Sequence, residues 1–453
     1  DIERIETLHH VANDLKEASY FSVNAGMDMH MHGVKFPEAV VELVNEGTLS
    51  IDRINDACSK ILMAKFKLGL FENRTVKLEA IKNHVFIDLH KKTALESAQK
   101  GIILLKNNGI LPLDKNLIKK VAVIGGGIVG CITSFFLIKK GYEVTLIDQS
   151  AIGQEASWAG AGILSPLLPW NYQDSVNSLC FGSADFYHSL SETLKQDTGI
   201  DPEWIESGML VYDEYDKDLG MNWCQKNNIE IKQIQIEKKS CLLLPHVAQI
   251  RNPRLLKALK IYLIKNNVVM IEHKKVNPIS DSNNFIHHLQ VENNINLEAD
   301  FYVVASGAWS SNVLNEIETP KIRPIRGQLI QYPAIKEKLP YILYKDDFYL
   351  VQRQDGVVLG GSTKEDVGFD KSITEEARNS LQQKAESLLP ILKNYKIENQ
   401  WSGLRPGSDG NVPMIEKHHK YNNVYLNVGH YRYGLTMAPK AARIITDLIT
   451  LNG

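Results

Sequence analysis

Cysteine is scarce in this 453-residue sequence. Its five cysteines, Cys58, Cys131, Cys180, Cys224 and Cys241, are odd in number, and none are spaced as C-x-x-C. That excludes a disulfide framework or a cysteine-based zinc site, and it fits a reducing, cytoplasmic compartment. Charge of one sign is also lacking. Lys and Arg total 51 against 53 Asp and Glu, a formal net charge of -2. Nothing electrostatic therefore calls for nucleic acid or an anionic membrane as partner. No signal peptide is apparent, since Asp1-Ile2-Glu3-Arg4 opens a mixed-charge stretch. The one long uncharged run covers 18 residues, Val121 to Ile138, but holds four glycines, so a membrane span is the poorer reading. His9-His10 and His30-Met31-His32 lack a carboxylate or cysteine at ligand spacing, and no metal site is expected.

Apolar residues make up 44% and charged residues 23%, ordinary values for a globular chain of two to three domains. The first part, to about residue 118, has helical apolar spacing at Glu38–Val44 and Ile51–Phe66, with Gly47 and Gly69 as stops. Ile102-Ile103-Leu104-Leu105 reads as a strand or helix end before a turn.

The glycines of the uncharged run fall in a pattern. Val121-Ala122-Val123-Ile124 is a fully apolar strand, followed by Gly125-x-Gly127-x-x-Gly130 and a helical stretch, Cys131–Lys140. A second strand, Glu143–Ile147, ends at Asp148, 18 residues past Gly130. Gly125 permits the tight turn, Gly127 lets backbone approach a pyrophosphate, and Gly130 allows close packing of helix on strand. The helix N-terminus offers free N–H groups to phosphate, and Asp148 accepts from ribose hydroxyls. An unphosphorylated ribose is implied, hence FAD or NAD.

Strings beyond the fingerprint carry a resemblance. These are GQEASWAGAGILSPLLPW at Gly153–Trp170, RNPRLLKAL at Arg251–Leu259, ADFYVVASGAWSSNVL at Ala299–Leu314 and IRPIRGQLIQY at Ile322–Tyr332. They continue with GGSTKEDVGFD at Gly360–Asp370, WSGLRPGSDGNVPMI at Trp401–Ile415 and VGHYRYGLTMAPKAA at Val428–Ala442. In this order they resemble the FAD-dependent glycine oxidases of the D-amino-acid oxidase superfamily, from about Lys119 to the C-terminus.

The resemblance implies an α/β fold. A Rossmann-like FAD domain (about 119–205, 250–320 and 400–453) would hold an inserted antiparallel-sheet substrate domain (about 206–249 and 321–399). It implies non-covalent FAD, and no cysteine follows Cys241 to attach it. The implied flavin contacts are Gly125, Gly127, Ile128, Val129, Gly130, Asp148, Gln149, Ala156, Ser157, Ala161, Gly162, Ile163 and Val276, then His430, Tyr431, Arg432, Tyr433, Gly434, Leu435 and Thr436. By the same match Arg405 clamps a substrate carboxylate and Tyr349 bonds it too. Arg432 offers its backbone carbonyl to the amine. Activity would be oxidation of glycine with dioxygen as acceptor, or alternatively that of a related flavin oxidase or dehydrogenase acting on a D-amino acid or sarcosine. A role in thiazole synthesis for thiamine and a tetrameric assembly are implied likewise. An inactive fusion product is the alternative from another class.

Asp347 and Gln352 stand where such enzymes often carry histidine and usually proline. Asp347 would repel a substrate carboxylate unless it points away or pairs with Arg353. In the first part, NAGMDM at Asn24–Met29, RINDACSKILMAKFKLGLFE at Arg53–Glu72 and GIILLKNNGILPLDK at Gly101–Lys115 resemble family 3 glycoside hydrolases. They match the end of the catalytic barrel and its linker. The family's nucleophilic Ser-Asp-Trp-type string is absent, so a helical, loosely packed barrel remnant without glycosidase activity is expected.

Overall fold

The computed structural model describes residues 2–32, 35–75, 81, 85–102, 119–212, 217–236, 239–279, 284–293, 295–314 and 322–452. The chain divides into two units, Asp1–Gly109 and Ile110–Gly453.

In the first unit the apolar spacing folds as helices Leu15–Asn24, Phe36–Asn45, Ile51–Lys67 and Asp88–Gly101. Asp14 and Ser50 cap two of them by accepting backbone N–H groups with their side chains. Gly47 and Gly69 end two, with φ of +74° and +66°, a conformation that suits a residue without a Cβ. The buried apolar set is small, built around Ala18, Val23, Leu43 and Leu49, while Phe66, Leu68 and Phe71 stay exposed. The apolar run after Ile102, the GILPLDK string and a boundary near residue 118 lie outside the described residues.

In the second unit the 18-residue uncharged run splits. It becomes strand Lys120–Ile124 and helix Ile128–Lys139, separated by the glycine turn. Among the described residues no helix is long and apolar enough to cross a membrane. The helix begins three residues before the expected Cys131. Extended Gly127 (φ -70°, ψ -176°) is its N-cap, which places Ile128-Val129-Gly130 in the first turn. Six strands form one sheet, in the order Met414–Lys417, Val424–Val428, Phe301–Val304, Lys120–Ile124, Glu143–Ile147, Val269–Ile271. It is parallel except at the Met414–Lys417 edge. Alternation sends Val121 and Val123 to one face, against Ile132, Phe135, Ala438 and Ile445. Ala122 and Ile124 go to the other face, with Tyr302, Leu289 and Leu426.

The second sheet has eight strands. Their order is Asn399–Gly407, Arg323–Ala334, Val357–Gly361, Phe348–Gln352, Ile342–Lys345, Met209–Val211, Lys239–Leu244, Lys232–Ile236. Here the expectation of an antiparallel sheet needs correction, because Ile342–Lys345 runs parallel to Met209–Val211. These strands come from segments more than a hundred residues apart, so no hairpin dictates their direction. Strand Asn399–Gly407, expected with the dinucleotide half, is hydrogen-bonded along Arg323–Gln331 in this sheet. Period-two alternation turns Leu329, Tyr349 and Val351 toward Ala161 and Leu167. Ile330, Tyr332 and Leu350 turn toward the opposite cluster with Leu381 and Ala385.

Candidate active site

The fingerprint turn is built by close approach. A Cβ on Gly125 (φ +111°) would lie 2.3 Å from the Ala305 carbonyl oxygen. One on Gly130 would lie 1.9 Å from the Gly125 carbonyl oxygen. Helix, turn and neighbouring strand therefore touch backbone to backbone, which only glycine allows. Asp148 stands at the end of the second strand and accepts from Gly126 N at 2.6 Å and Ser150 N at 2.7 Å. Burial nonetheless raises its pKa above the ordinary carboxylate value. Ser157 Oγ accepts from Ile128 N at 2.9 Å, an oxygen already seated where a phosphate oxygen would be received.

From this turn a continuous cleft runs to the second sheet. Gly125, Gly127, Ile128, Val129, Asp148, Gln149, Ala156, Ser157, Ala161, Gly162, Ile163 and Val276 line it, as do Tyr349, Arg405 and His430 through Thr436. Of the residues expected to touch flavin or substrate, Gly130 alone does not line the cleft. It is fully spent on helix–strand packing, so its part is to shape the turn.

The cleft fits FAD on three counts. A helix N-terminus and an acid at the second strand's end face its first part. Three of its lining residues carry buried polar atoms with no partner among the described residues: Asn252 Oδ1, Asn427 Oδ1 and His430 Nε2, which suits a polar heterocyclic ligand. Burial holds His430 neutral, its pKa lowered to about 4. Third, a Cβ on Gly162 (φ +76°) would lie 1.8 Å from the Ile250 carbonyl oxygen, so the wall segment is pressed against its neighbour and leaves the cleft open.

At the far end Arg405 lies on strand Asn399–Gly407. Its guanidinium passes over Gly327, where a Cβ would sit 2.2 Å from Nη1 and Nη2. It donates to the Thr363 carbonyl oxygen at 3.1 Å and to Ser362 Oγ at 2.7 Å. Among the described residues it forms no ion pair, and burial lowers its pKa. A half-buried guanidinium held only by neutral acceptors is costly unless an anion completes it. Tyr349 belongs to the same end, and its hydroxyl bonds no described residue. A Cβ on Gly361 would lie 2.9 Å from both that hydroxyl and Leu329 Cγ, so the end is narrow.

Asp347 neither turns away nor pairs with Arg353. It takes Arg432, Oδ1 with Nη2 at 2.7 Å and Oδ2 with Nη1 at 3.1 Å. Arg353 is buried elsewhere. It donates to Gln249 Oε1 at 2.9 Å and to the carbonyl oxygens of Ile250 and Ala161 at 3.2 and 2.8 Å, tying the cleft wall to the second sheet. Gln352 spans its hairpin, accepting from Leu339 N and donating to the Glu337 carbonyl oxygen, each at 2.8 Å.

Sequence reasoning missed the network behind Arg405. Glu365 Oε1 accepts from the hydroxyl of Thr363, whose carbonyl receives Arg405, and Glu365 Oε2 accepts from Arg326 Nη2 at 2.5 Å. Arg326 also meets Asp370 at 2.6 Å. Gln328 Nε2 bonds Glu365 at 3.0 Å. Its only sequence signal was the acid within the GGSTKED string. Although burial opposes it, bonding from Thr363, Arg326 and Gln328 holds the Glu365 carboxyl below its ordinary pKa. The stability it contributes is full above the ordinary carboxylate value and fades as pH falls through the lower folded value. Glu365→Gln is expected to cost about 2 kcal/mol, since Arg326 then keeps Asp370 as its one carboxylate partner among the described residues, beside Ser372 Oγ at 3.1 Å. The KM for substrate should rise with kcat little changed. Thermal melts at neutral pH and at pH 3.5 check it: the gap between the proteins should narrow in acid.

Comparison with known proteins agrees with this architecture. Residues 120–448 match the family model described as DAO: FAD dependent oxidoreductase. The chain is 36% identical over 347 residues to a glycine oxidase of Pseudomonas putida, covering 73% of this chain and 94% of that protein. It is 28% identical over 351 residues to the bifunctional protein ThiO/ThiG of Trichormus variabilis, covering 52% of that protein. The solved structure of glycine oxidase from Bacillus cereus aligns with a TM-score of 0.68 at 24% identity, over 74% of this chain and 96% of that one. The chain is FAD-dependent and belongs to the DAO family of FAD-dependent oxidoreductases.

Proposed function

We propose that the chain is a glycine oxidase, catalysing glycine + O2 + H2O → glyoxylate + NH3 + H2O2. The observation that carries this is the Arg405 guanidinium, which has only neutral acceptors among the described residues, beside the Tyr349 hydroxyl, which bonds no described residue, at the narrow end of the cleft. The planar fork of Arg405 receives the substrate carboxylate bidentately, and the Tyr349 hydroxyl donates to the same group. The backbone carbonyl of Arg432 accepts from the amine and so orients it. FAD supplies the hydride acceptor and the relay of electrons to dioxygen. The chain's own residues fix the α-carbon and exclude water. Leu329 and Tyr349, crowded at Gly361, favour a substrate without a side chain. The name of the Pseudomonas putida relative supports glycine, and the ThiO/ThiG relative supports a role in thiazole synthesis for thiamine.

The reading divides the second unit into an FAD-binding part and a substrate part centred on the eight-stranded sheet. It treats the first unit as similar to the end of the barrel domain of family 3 glycoside hydrolases. The test is anaerobic addition of amino acid to the yellow protein. Glycine is expected to bleach the flavin band faster than sarcosine or D-alanine. A band that glycine leaves unchanged sinks the substrate assignment.

A further inference from the structure

The hairpin between strands Ile342–Lys345 and Phe348–Gln352 turns on Asp346 and Asp347, both left-handed at φ 49° and 57°. Two consecutive left-handed residues make a type I′ turn, the tight two-residue connection of antiparallel strands. Aspartate tolerates that conformation better than most residues. The turn therefore sets the direction of the Asp347 side chain, two residues before Tyr349 on the same strand. It meets Arg432 in the parallel two-bond geometry given above. Arg432 has a side chain only 14% exposed and lines the cleft together with Arg405. The cleft end thus carries two guanidiniums, one matched by a fixed carboxylate and one not.

We propose that Asp347 sets the charge selectivity of the site: by occupying Arg432 it leaves one uncompensated cation, so the site takes ligands with one carboxylate and rejects those with a second anionic group. The physical basis is a count of charges in a poorly screened space. With Arg432 occupied, a second carboxylate near it would meet the Asp347 oxygens and find no free donor fork. With Asp347 uncharged, the same position would offer a guanidinium of its own. The electrostatics of Arg405 agree that these groups share one field, since after burial and Tyr349 it responds to both Arg432 and Asp347. A histidine at position 347, neutral or cationic, would leave Arg432 uncompensated.

This rests on reading the cleft end as a carboxylate site, and the test uses ligands that do not react. Acetate and malonate are titrated into the flavin-loaded enzyme at constant ionic strength, reading perturbation of the flavin absorbance. The wild type is expected to favour acetate. In Asp347→Asn, which keeps a residue suited to the left-handed turn, the malonate-to-acetate affinity ratio should rise by about 10-fold or more. Adding Arg432→Gln to that variant should return the ratio toward the wild-type value, and equal flavin content verifies folding. A ratio that moves less than about 3-fold, or persists in the double variant, overturns the proposal. Failure of both anions to perturb any of the three proteins overturns it as well. Failure of glycine to bleach the wild type while the ratios shift as expected would instead count against the glycine assignment alone.

Discussion

Arg405→Leu is expected to lower kcat/KM for glycine by about 100-fold or more, while the purified protein keeps its yellow colour. The guanidinium lies in a place that costs free energy in the absence of an anion: half-buried over Gly327, with only Thr363 and Ser362 as neutral acceptors. A bound carboxylate would complete it. Removing one partner of such a desolvated, doubly hydrogen-bonded pair typically costs ~2–5 kcal/mol, which converts to a loss between about 30-fold and several thousand-fold. Leucine fills part of the space and offers no donor, so the substrate carboxylate would be buried without a counter-charge. Arg405→Lys separates charge from geometry. It keeps the cation but loses the fork, and recovery of about 10-fold relative to leucine is expected. Peroxide formation against glycine concentration, with flavin content per protein as control, reads both. Unchanged kcat/KM in Arg405→Leu at full flavin content would remove the arginine from the site.

Gly130→Ala is the second large effect, and it acts without touching the cleft. A Cβ there would lie 1.9 Å from the Gly125 carbonyl oxygen, 3.1 Å from its carbon and 3.4 Å from Val123 Cγ1. The helix must move by about 1.5 Å to restore ordinary contact. Gly125 cannot yield, because it is itself pressed on Ala305. Overpacking of this kind costs ~1–3 kcal/mol in stability. The larger consequence is displacement of Gly127, Ile128 and Val129, whose N–H groups lie at the phosphate end. A misplacement of that size commonly costs about 100-fold, so the variant should purify nearly colourless. Fluorescence titration of the apo-protein with FAD measures the affinity directly. Wild-type flavin content in Gly130→Ala would mean that the helix tolerates the wedge, contrary to its packing.

The contrast between these residues shows what can be read without a structure. Gly130 is legible because its demand is local: strand, turn and helix are consecutive, and the spacing of three glycines states the geometry. Tyr349 and Arg405 were legible only through resemblance, since they stand on strands about fifty residues apart. Asn252, Gly327, Ser362, Glu365 and Asn427 were not singled out at all. Each matters through a neighbour distant in sequence, as Gly327 does by leaving room for Arg405.

Asp347 was legible as a departure from relatives, but its partner was not. Composition and the 3.6- and 2-residue periodicities determined the helices of the first unit, the fingerprint and the strand faces. Pairing across long separations decided the rest: the parallel contact of Ile342–Lys345 with Met209–Val211, the network behind Arg405, and the choice of Arg432 for Asp347. Such pairings depend on which chain segments the packed sheets bring within a few ångströms, and local periodicity carries no information about that.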